Sequence, residues 1–505
     1  MTEHVTAAII GAGFGGMGAG ISLDRTGIDD WVILEREPDL GGTWQVNRYP
    51  GLAVDIPSLS YSFSFEPNPD WSRLFAPGAE LKSYCDHVAD RYDLRRRMRF
   101  EHTVTEAHWD EAEERWVIEL SDREPITATY LIAATGFLSQ PRVPDIDGID
   151  TFAGTVIHST DWDATADLTG TRAAVIGTGA TAVQLIPEVA RQAESLTVFQ
   201  RTPIWVVPRI DMEMPGWLRA LFRRAPLTQK VARKGNDLLL ESLIFGVVHH
   251  RQAGFASRLV QRGAQRFLHS QVRDPALRRQ LTPGYSFGCK RPTFSNSYFR
   301  TFTKPHVTLE TDPIARVEPD AIVTESGTRH QIDTLLLATG FNLWDVNFPA
   351  ITVVGRDGRD LGKWWRENRF GSFQGVSVPA FPNFFSLASP FGYTGLNYFT
   401  TIEAEMVHLS RVLGEARRRG APTVEVTETA YDEFCARMRR LVEDTVFTLG
   451  DCATARSYYF NQHGEATLLR PTASWRAHRE QQRFDLAAYR FSPAQSRSEP
   501  SAIRA

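Results

Sequence analysis

The chain has 505 residues, 42% hydrophobic and 23% charged, with a formal net charge of −4. That is too long for one ordinary domain, and the composition is that of a globular protein. The small negative charge gives no reason to expect a nucleic-acid partner or an anionic membrane. Four scattered cysteines with no C-x-x-C exclude zinc-site spacing and a closely spaced redox dithiol.

In chain order, the first residues lack the basic region of a signal peptide and run directly into a short apolar segment, residues 6–10. This is the composition of a buried parallel strand. Gly11-Ala12-Gly13-Phe14-Gly15-Gly16 follows, then a predicted helix to about Arg25 and a second strand, residues 31–34, ending in Glu35. The order strand, G-x-G-x-x-G, helix, strand, acid is a dinucleotide fingerprint. Gly11 makes the turn, Gly13 admits the pyrophosphate and Gly16 lets helix and strand approach. The helix N-terminus offers N–H groups and partial positive charge to the phosphates. A carboxylate at Glu35 accepts ribose hydroxyls and repels a 2′-phosphate, so this site suits FAD or NAD. A further strand, residues 130–134, leads into Thr135-Gly136-Phe137.

Residues 152–163 read Phe152-x-Gly154-x-x-x-His158-x-x-x-Trp162-Asp163. Residues 41–55 read Gly42-Thr43-Trp44, then Tyr49-Pro50-Gly51, then Asp55. Both stretches resemble motifs of the type I Baeyer–Villiger monooxygenases, flavoproteins that use NADPH and O2 to insert oxygen beside a ketone carbonyl. The resemblance covers about residues 5–480.

A second fingerprint, Gly177-Thr178-Gly179-Ala180-Thr181-Ala182, follows another apolar strand at residues 172–176. A helix is expected from there to about Gln192, then a strand at residues 196–200. A shift of 166 residues superposes the two units and sets Arg201 on Glu35. A guanidinium in place of a carboxylate favours a 2′-phosphate, hence NADP, because a charge-assisted bond contributes roughly 1.5–3 kcal/mol. Residues 335–341 again run as a strand into A-T-G. The second unit is 38 residues longer than the first, and the excess is expected within 217–280, an Arg-bearing helical stretch. It reads as a lid, an interface or a solvated basic excursion.

The resemblance implies site residues by position. Gly42, Thr43 and Trp44 lie along the flavin, Asp55 near its reactive edge, and Tyr61 and Val104 at flavin contacts, Val104 through its backbone. From the side chains alone, Trp44 and Tyr61 read equally well as core. Lys290-Arg291, after Gly288-Cys289, matches a family K-R pair. Arg291 is then catalytic, positioned by Asp55, and stabilises a flavin C4a-peroxide and the adduct it forms with the ketone; a guanidinium keeps its charge at every working pH. Lys290 joins Thr181, Arg201 and Thr202 at NADP. His158 and Trp162 link the two nucleotide units rather than act as acid or base.

The expected fold is α/β, two doubly wound Rossmann-like dinucleotide-binding domains with a helical insertion. Residues 1–150 and 341–490 form a discontinuous FAD domain, 151–340 an NADP domain with the insertion at about 215–282, and 491–505 a flexible tail. Residues 457–475 hold aromatic side chains that read as pocket lining or core. The expected activity is conversion of a ketone to an ester or lactone in the cytoplasm, by a monomer or weak homodimer with no membrane partner. The alternative is a flavin-containing monooxygenase acting on N or S atoms. A flavin disulfide reductase shares the layout but needs a cysteine pair near the flavin, and a nucleotide sensor would not need Arg291.

Overall fold

The computed structural model describes residues 2–163 and 165–493. In chain order the first unit contains β1 (Glu3–Ile10), α1 (Phe14–Arg25), β2 (Trp31–Leu34), α2 (Gly78–Arg91), β3 (Val104–Asp110), β4 (Arg115–Leu120) and β5 (Arg123–Ala133). Then come β6 (Thr155–His158), β7 (Arg172–Ile176), α3 (Ala180–Gln192) and β8 (Ser195–Phe199). Helices α4 (Gly216–Arg224), α5 (Pro226–Val248), α6 (His250–Gln271) and α7 (Pro275–Leu281) precede β9 (Val307–Glu310) and β10 (Thr334–Leu337). The chain continues through β11 (Thr352–Val354), β12 (Phe384–Ser386), α8 (Tyr398–Arg419), β13 (Thr423–Val426) and β14 (Tyr489–Ser492).

One sheet runs β11-β3-β4-β5-β1-β2, extended by the short strand Met98–Arg99, with β12 also paired to β5. Its centre is parallel, β2, β1, β5 and β12 lying side by side in one direction. The β3-β4-β5 meander is antiparallel, so the sheet is mixed. The second sheet, β9-β8-β7-β10-β6, is parallel throughout. Buried four-residue runs such as Trp31–Leu34 and Thr334–Leu337 are covered on both faces, as parallel strands require.

Helix α1 is poor in intrinsic propensity, with four glycines among twelve residues, yet ten of them are buried. Its stability comes from packing between the sheet and α8. Helix α8 is capped by the Asn397 side chain, which accepts the Phe399 N–H at 3.0 Å, and stops at Gly420 in the left-handed region. Its buried stripe includes Ile402, Leu409 and Leu413. Truncating one of these leucines to alanine costs roughly 2–5 kcal/mol.

The tail boundary needs correction. Residues 491 and 492 belong to β14, which pairs antiparallel with β13, because Phe491 has an apolar partner in Val424. Residues 494–505 lie outside the described residues. The cysteines show a pairing that the sequence did not indicate. Cys289 and Cys452, 163 residues apart, meet as a disulfide with a Cα separation of 5.3 Å, while Cys85 and Cys435 are buried and free. Sequence spacing gives no access to such a pair. Among the described residues no helix is long and apolar enough to cross a membrane.

Candidate active site

Both fingerprints open onto one cavity of about 1500 Å³. Single ligand pockets run to about 1,000 Å³, so there is room for more than one large ligand. Gly11, with φ of +102°, turns the chain from β1 into α1, and Gly177 does the same from β7 into α3 with φ of +119°. A Cβ on Gly16 would lie 1.9 Å from the Gly11 carbonyl oxygen, so the strand–helix approach admits no side chain there. Gly16 does not line the cavity; it sets the geometry of those that do. Gly13 and Gly179 are on the wall, each an N-cap without a side-chain acceptor, and neither helix has an acid in its first turn. The first N–H groups of α1 and α3 are thus left for an anion.

Glu35 is buried at the end of β2. Its Oε2 accepts the Ala12 N–H at 2.6 Å and Oε1 accepts the Glu37 N–H at 3.0 Å. Burial raises its pKa, with the two backbone bonds acting against this. Each oxygen keeps a lone pair, which suits ribose hydroxyls. Gly42 approaches Gly13 closely, and Thr43 begins the one-turn helix that carries Trp44. Trp44 and Tyr61 meet edge to face at 5.6 Å, and both line the cavity while packing on the core. The choice between core and wall was therefore a false one for this pair. Val104 is buried at the start of β3, also on the wall.

At the second fingerprint, Thr178 Oγ1 donates to the Thr202 carbonyl at 2.8 Å and pins the loop carrying Arg201. Thr181 sits in the first turn of α3, beside the Tyr49 hydroxyl. That hydroxyl donates to Gln184 Oε1 at 2.9 Å, and Gln184 Nε2 donates to the Ala53 carbonyl at 2.9 Å, so the loop that carries Asp55 is clamped to α3. Arg201, Lys290 and Arg456 share the wall and have no acidic partner among the described residues. Burial, then Arg201 and Arg456, pull the Lys290 pKa down to about 8. An unbalanced cation group of this kind fits a phosphate.

Arg291, on the cavity wall, is held by four hydrogen bonds. Its Nε donates to Asp55 Oδ2 at 2.6 Å and Nη2 to Asp55 Oδ1 at 3.0 Å. Nη2 also donates to the Leu396 carbonyl at 3.2 Å, and Nη1 to the Tyr393 hydroxyl at 3.3 Å. Of five guanidinium N–H groups, four are used and one, on Nη1, is left. Burial opposes the charge, but Asp55 outweighs it and the pKa is raised well above its ordinary value. Tyr393, Leu396 and Arg456 were not assigned from the sequence, although Tyr393 lies in a glycine-bearing stretch; Tyr458, which read as pocket lining or core, is on the wall. Trp475, offered as a lining candidate, is 66% exposed and off the cavity wall.

His158 ends β6, its Nδ1 bonded to Thr160 Oγ1 at 2.7 Å. Burial, the largest influence, lowers its pKa. Trp162 is buried in the core around β7 and α3, together with Tyr49. Neither ring lines the cavity; Thr160 between them does.

Residues 8–233 match the family model described as pyridine nucleotide-disulphide oxidoreductase. The disulfide sulfurs of Cys289 and Cys452 are not on the cavity wall, so they are not placed for exchange with a bound nucleotide. A Baeyer–Villiger monooxygenase of Streptomyces coelicolor is 39% identical over 98% of this chain and 94% of its own. The structure of a cyclohexanone monooxygenase from Rhodococcus sp. Phi1 bound to NADP+ matches with a TM-score of 0.85 at 26% identity, over 98% of this chain and all of that one. A complex of OTEMO with FAD and NADP matches with a TM-score of 0.85 at 26% identity, over 97% of this chain and all of that one. With two nucleotide fingerprints on one cavity and near end-to-end likeness to these enzymes, the chain belongs to the Baeyer–Villiger monooxygenase family.

Proposed function

We propose that the protein uses FAD, NADPH and O2 to convert a ketone to an ester or lactone, with Arg291 as the catalytic cation and Asp55 as the residue that positions it. The observation that carries this reading is the Arg291–Asp55 pair on the wall between the two fingerprints. The first fingerprint, with Glu35, Gly42, Thr43, Trp44, Tyr61 and Val104, suits FAD. The second, with Thr181, Arg201, Thr202 and Lys290, suits NADP. Bound flavin supplies two-electron transfer from NADPH and activation of O2. The side chains do the rest. Asp55 takes two of Arg291's N–H groups, Leu396 and Tyr393 take two more, and the remaining Nη1 N–H is free to donate to negative charge that develops on the substrate oxygen. A charge held in place before reaction costs no reorganisation as it acts. Trp44, Tyr61 and Tyr458 give the same wall an apolar surface that limits water.

The domain reading takes residues 1–150 and 341–492 as the FAD unit and 151–340 as the NADP unit. A monomer or weak homodimer in the cytoplasm completes it. A sulfur- or nitrogen-oxygenating enzyme has no specific observation in its favour, because a soft nucleophile needs no cation at a carbonyl oxygen. The test is turnover of NADPH with cyclic, linear and aryl ketones, with ester or lactone analysed by gas chromatography. Ester or lactone formed in proportion to NADPH supports the reading. Oxygenation of sulfides or amines with every ketone left intact overturns it.

A further inference from the structure

The net charge of −4 hides a local inversion. Residues 216–271, helices α4 to α6, hold ten Lys and Arg against two acids. Only Arg223, Arg233 and Arg251 of the ten pair with an acid among the described residues. The two acids, Asp237 and Glu241, are on the half-buried side of α5; α4 and α6 contain none. The outward sides of these helices thus present cations alone.

The same sides are apolar. On α5, Leu227, Val231, Leu238 and Phe245 follow one another at four- and seven-residue spacing and are all exposed, Leu227 to 74% and Leu238 to 72%. Trp217 on α4 and Phe255 and Leu259 on α6 are exposed as well. These side chains are not core residues in want of space. The inner side of α5 already buries Leu240, Ile244 and Val247. It is fastened by Arg233 Nη1 to the Ser62 carbonyl at 2.7 Å and by Gln229 Nε2 to the Asn68 carbonyl at 2.6 Å. A run of exposed Trp, Leu, Val and Phe interleaved with unpaired Lys and Arg has the chemistry of a surface that lies on a bilayer.

We infer that the outer face of α4, α5 and α6 docks on an anionic lipid bilayer, with Trp217, Leu227, Leu238 and Phe255 entering the headgroup boundary and Lys230, Lys234 and Arg258 meeting lipid phosphates. Charge decides the occupant. A second copy of this face would bring one cationic surface against another, whereas anionic headgroups satisfy the cations and the acyl boundary takes the apolar groups. The placement also has a consequence for the cavity. A Cβ on Gly395 would lie 3.5 Å from Glu241 Oε1 and 3.7 Å from Ile244 Cδ1, so α5 backs directly onto the loop whose Leu396 carbonyl holds Arg291. Docking would place α5 between the bilayer and the loop that holds Arg291.

The test uses the purified flavin-loaded enzyme, sedimented with vesicles of phosphatidylglycerol and phosphatidylcholine or of phosphatidylcholine alone, at low and high salt. Binding to the anionic vesicles is expected to exceed binding to the neutral ones on the order of tenfold and to weaken with salt. Leu238→Ser with Phe255→Ser, and separately Lys230→Glu with Lys234→Glu, should each reduce it while oxidation of a water-soluble ketone is unchanged. Equal binding to both vesicles, or none, overturns the inference. So does a concentration-dependent dimer that the Leu238→Ser and Phe255→Ser pair abolishes, which would assign the face to a second copy.

Discussion

Asp55 and Arg291 are 236 residues apart and joined by two hydrogen bonds, one from Nε at 2.6 Å and one from Nη2 at 3.0 Å. A fork-to-fork pair fixes the plane of the guanidinium as well as its distance, which a lysine in its place could not reproduce.

Replacing Arg291 by alanine should leave flavin binding and its bleaching by NADPH near normal while ester or lactone formation falls by about 10²–10³-fold. Arg291→Lys should recover only a small part of this. Stopped-flow bleaching of the flavin, followed by product analysis, separates the steps. Normal product yield from Arg291→Ala would remove the residue from the chemistry.

Arg201 has no acidic partner among the described residues, and its charged neighbours are Arg456 and Arg142. If it meets the 2′-phosphate, Arg201→Ala should raise the KM for NADPH by roughly 10- to 100-fold, the equivalent of one charge-assisted bond. The KM for NADH should hardly move. Equal effects on both nucleotides would place the arginine elsewhere.

Lys290, with its pKa pulled down to about 8 by burial and its cationic neighbours, is charged below that pH and neutral above it. NADPH affinity should therefore weaken as pH rises through about 8, with kcat at saturating NADPH less affected. Lys290→Arg should remove this step, because a guanidinium does not titrate in the range. A KM profile between pH 6 and roughly 9 reads the effect.

Gly16→Ala puts a Cβ 1.9 Å from the Gly11 oxygen. The strand–helix turn must open to accept it, and the purified variant should carry little flavin, measured as the ratio of visible to ultraviolet absorbance. A fully loaded variant would show that the turn tolerates a side chain.

The Cys289–Cys452 bridge ties the Lys290-Arg291 loop to the loop carrying Arg456. Titration in denaturant without reductant should find two thiols, from Cys85 and Cys435, and four after reduction. Cys452→Ser should lower stability by about 2–4 kcal/mol. Four thiols without reductant would mean that the pair is kept open, as a reducing cytoplasm favours.

Much of the architecture was legible locally. Both glycine fingerprints, the Glu35-to-Arg201 inversion and the ends of α1 and α3 follow from neighbours within a few residues. The helical excursion was legible as a length excess, and its helices begin at Gly216 and end at Leu281. Its outward apolar face was not, because helical periodicity does not say which side meets the core.

The sequence alone determined where the backbone turns sharply, where strands are apolar on both faces and which fingerprint is followed by a carboxylate and which by a guanidinium. These are properties of short segments, set by backbone sterics and side-chain charge. The tertiary structure decided the contacts between distant segments. It brought Tyr393 and the Leu396 carbonyl to Arg291, Gln184 to the loop carrying Asp55, Cys289 to Cys452, and left the outer apolar side chains of the basic helices exposed. Such pairs depend on how the two sheets and their loops pack, and no residue spacing along the chain encodes that distance.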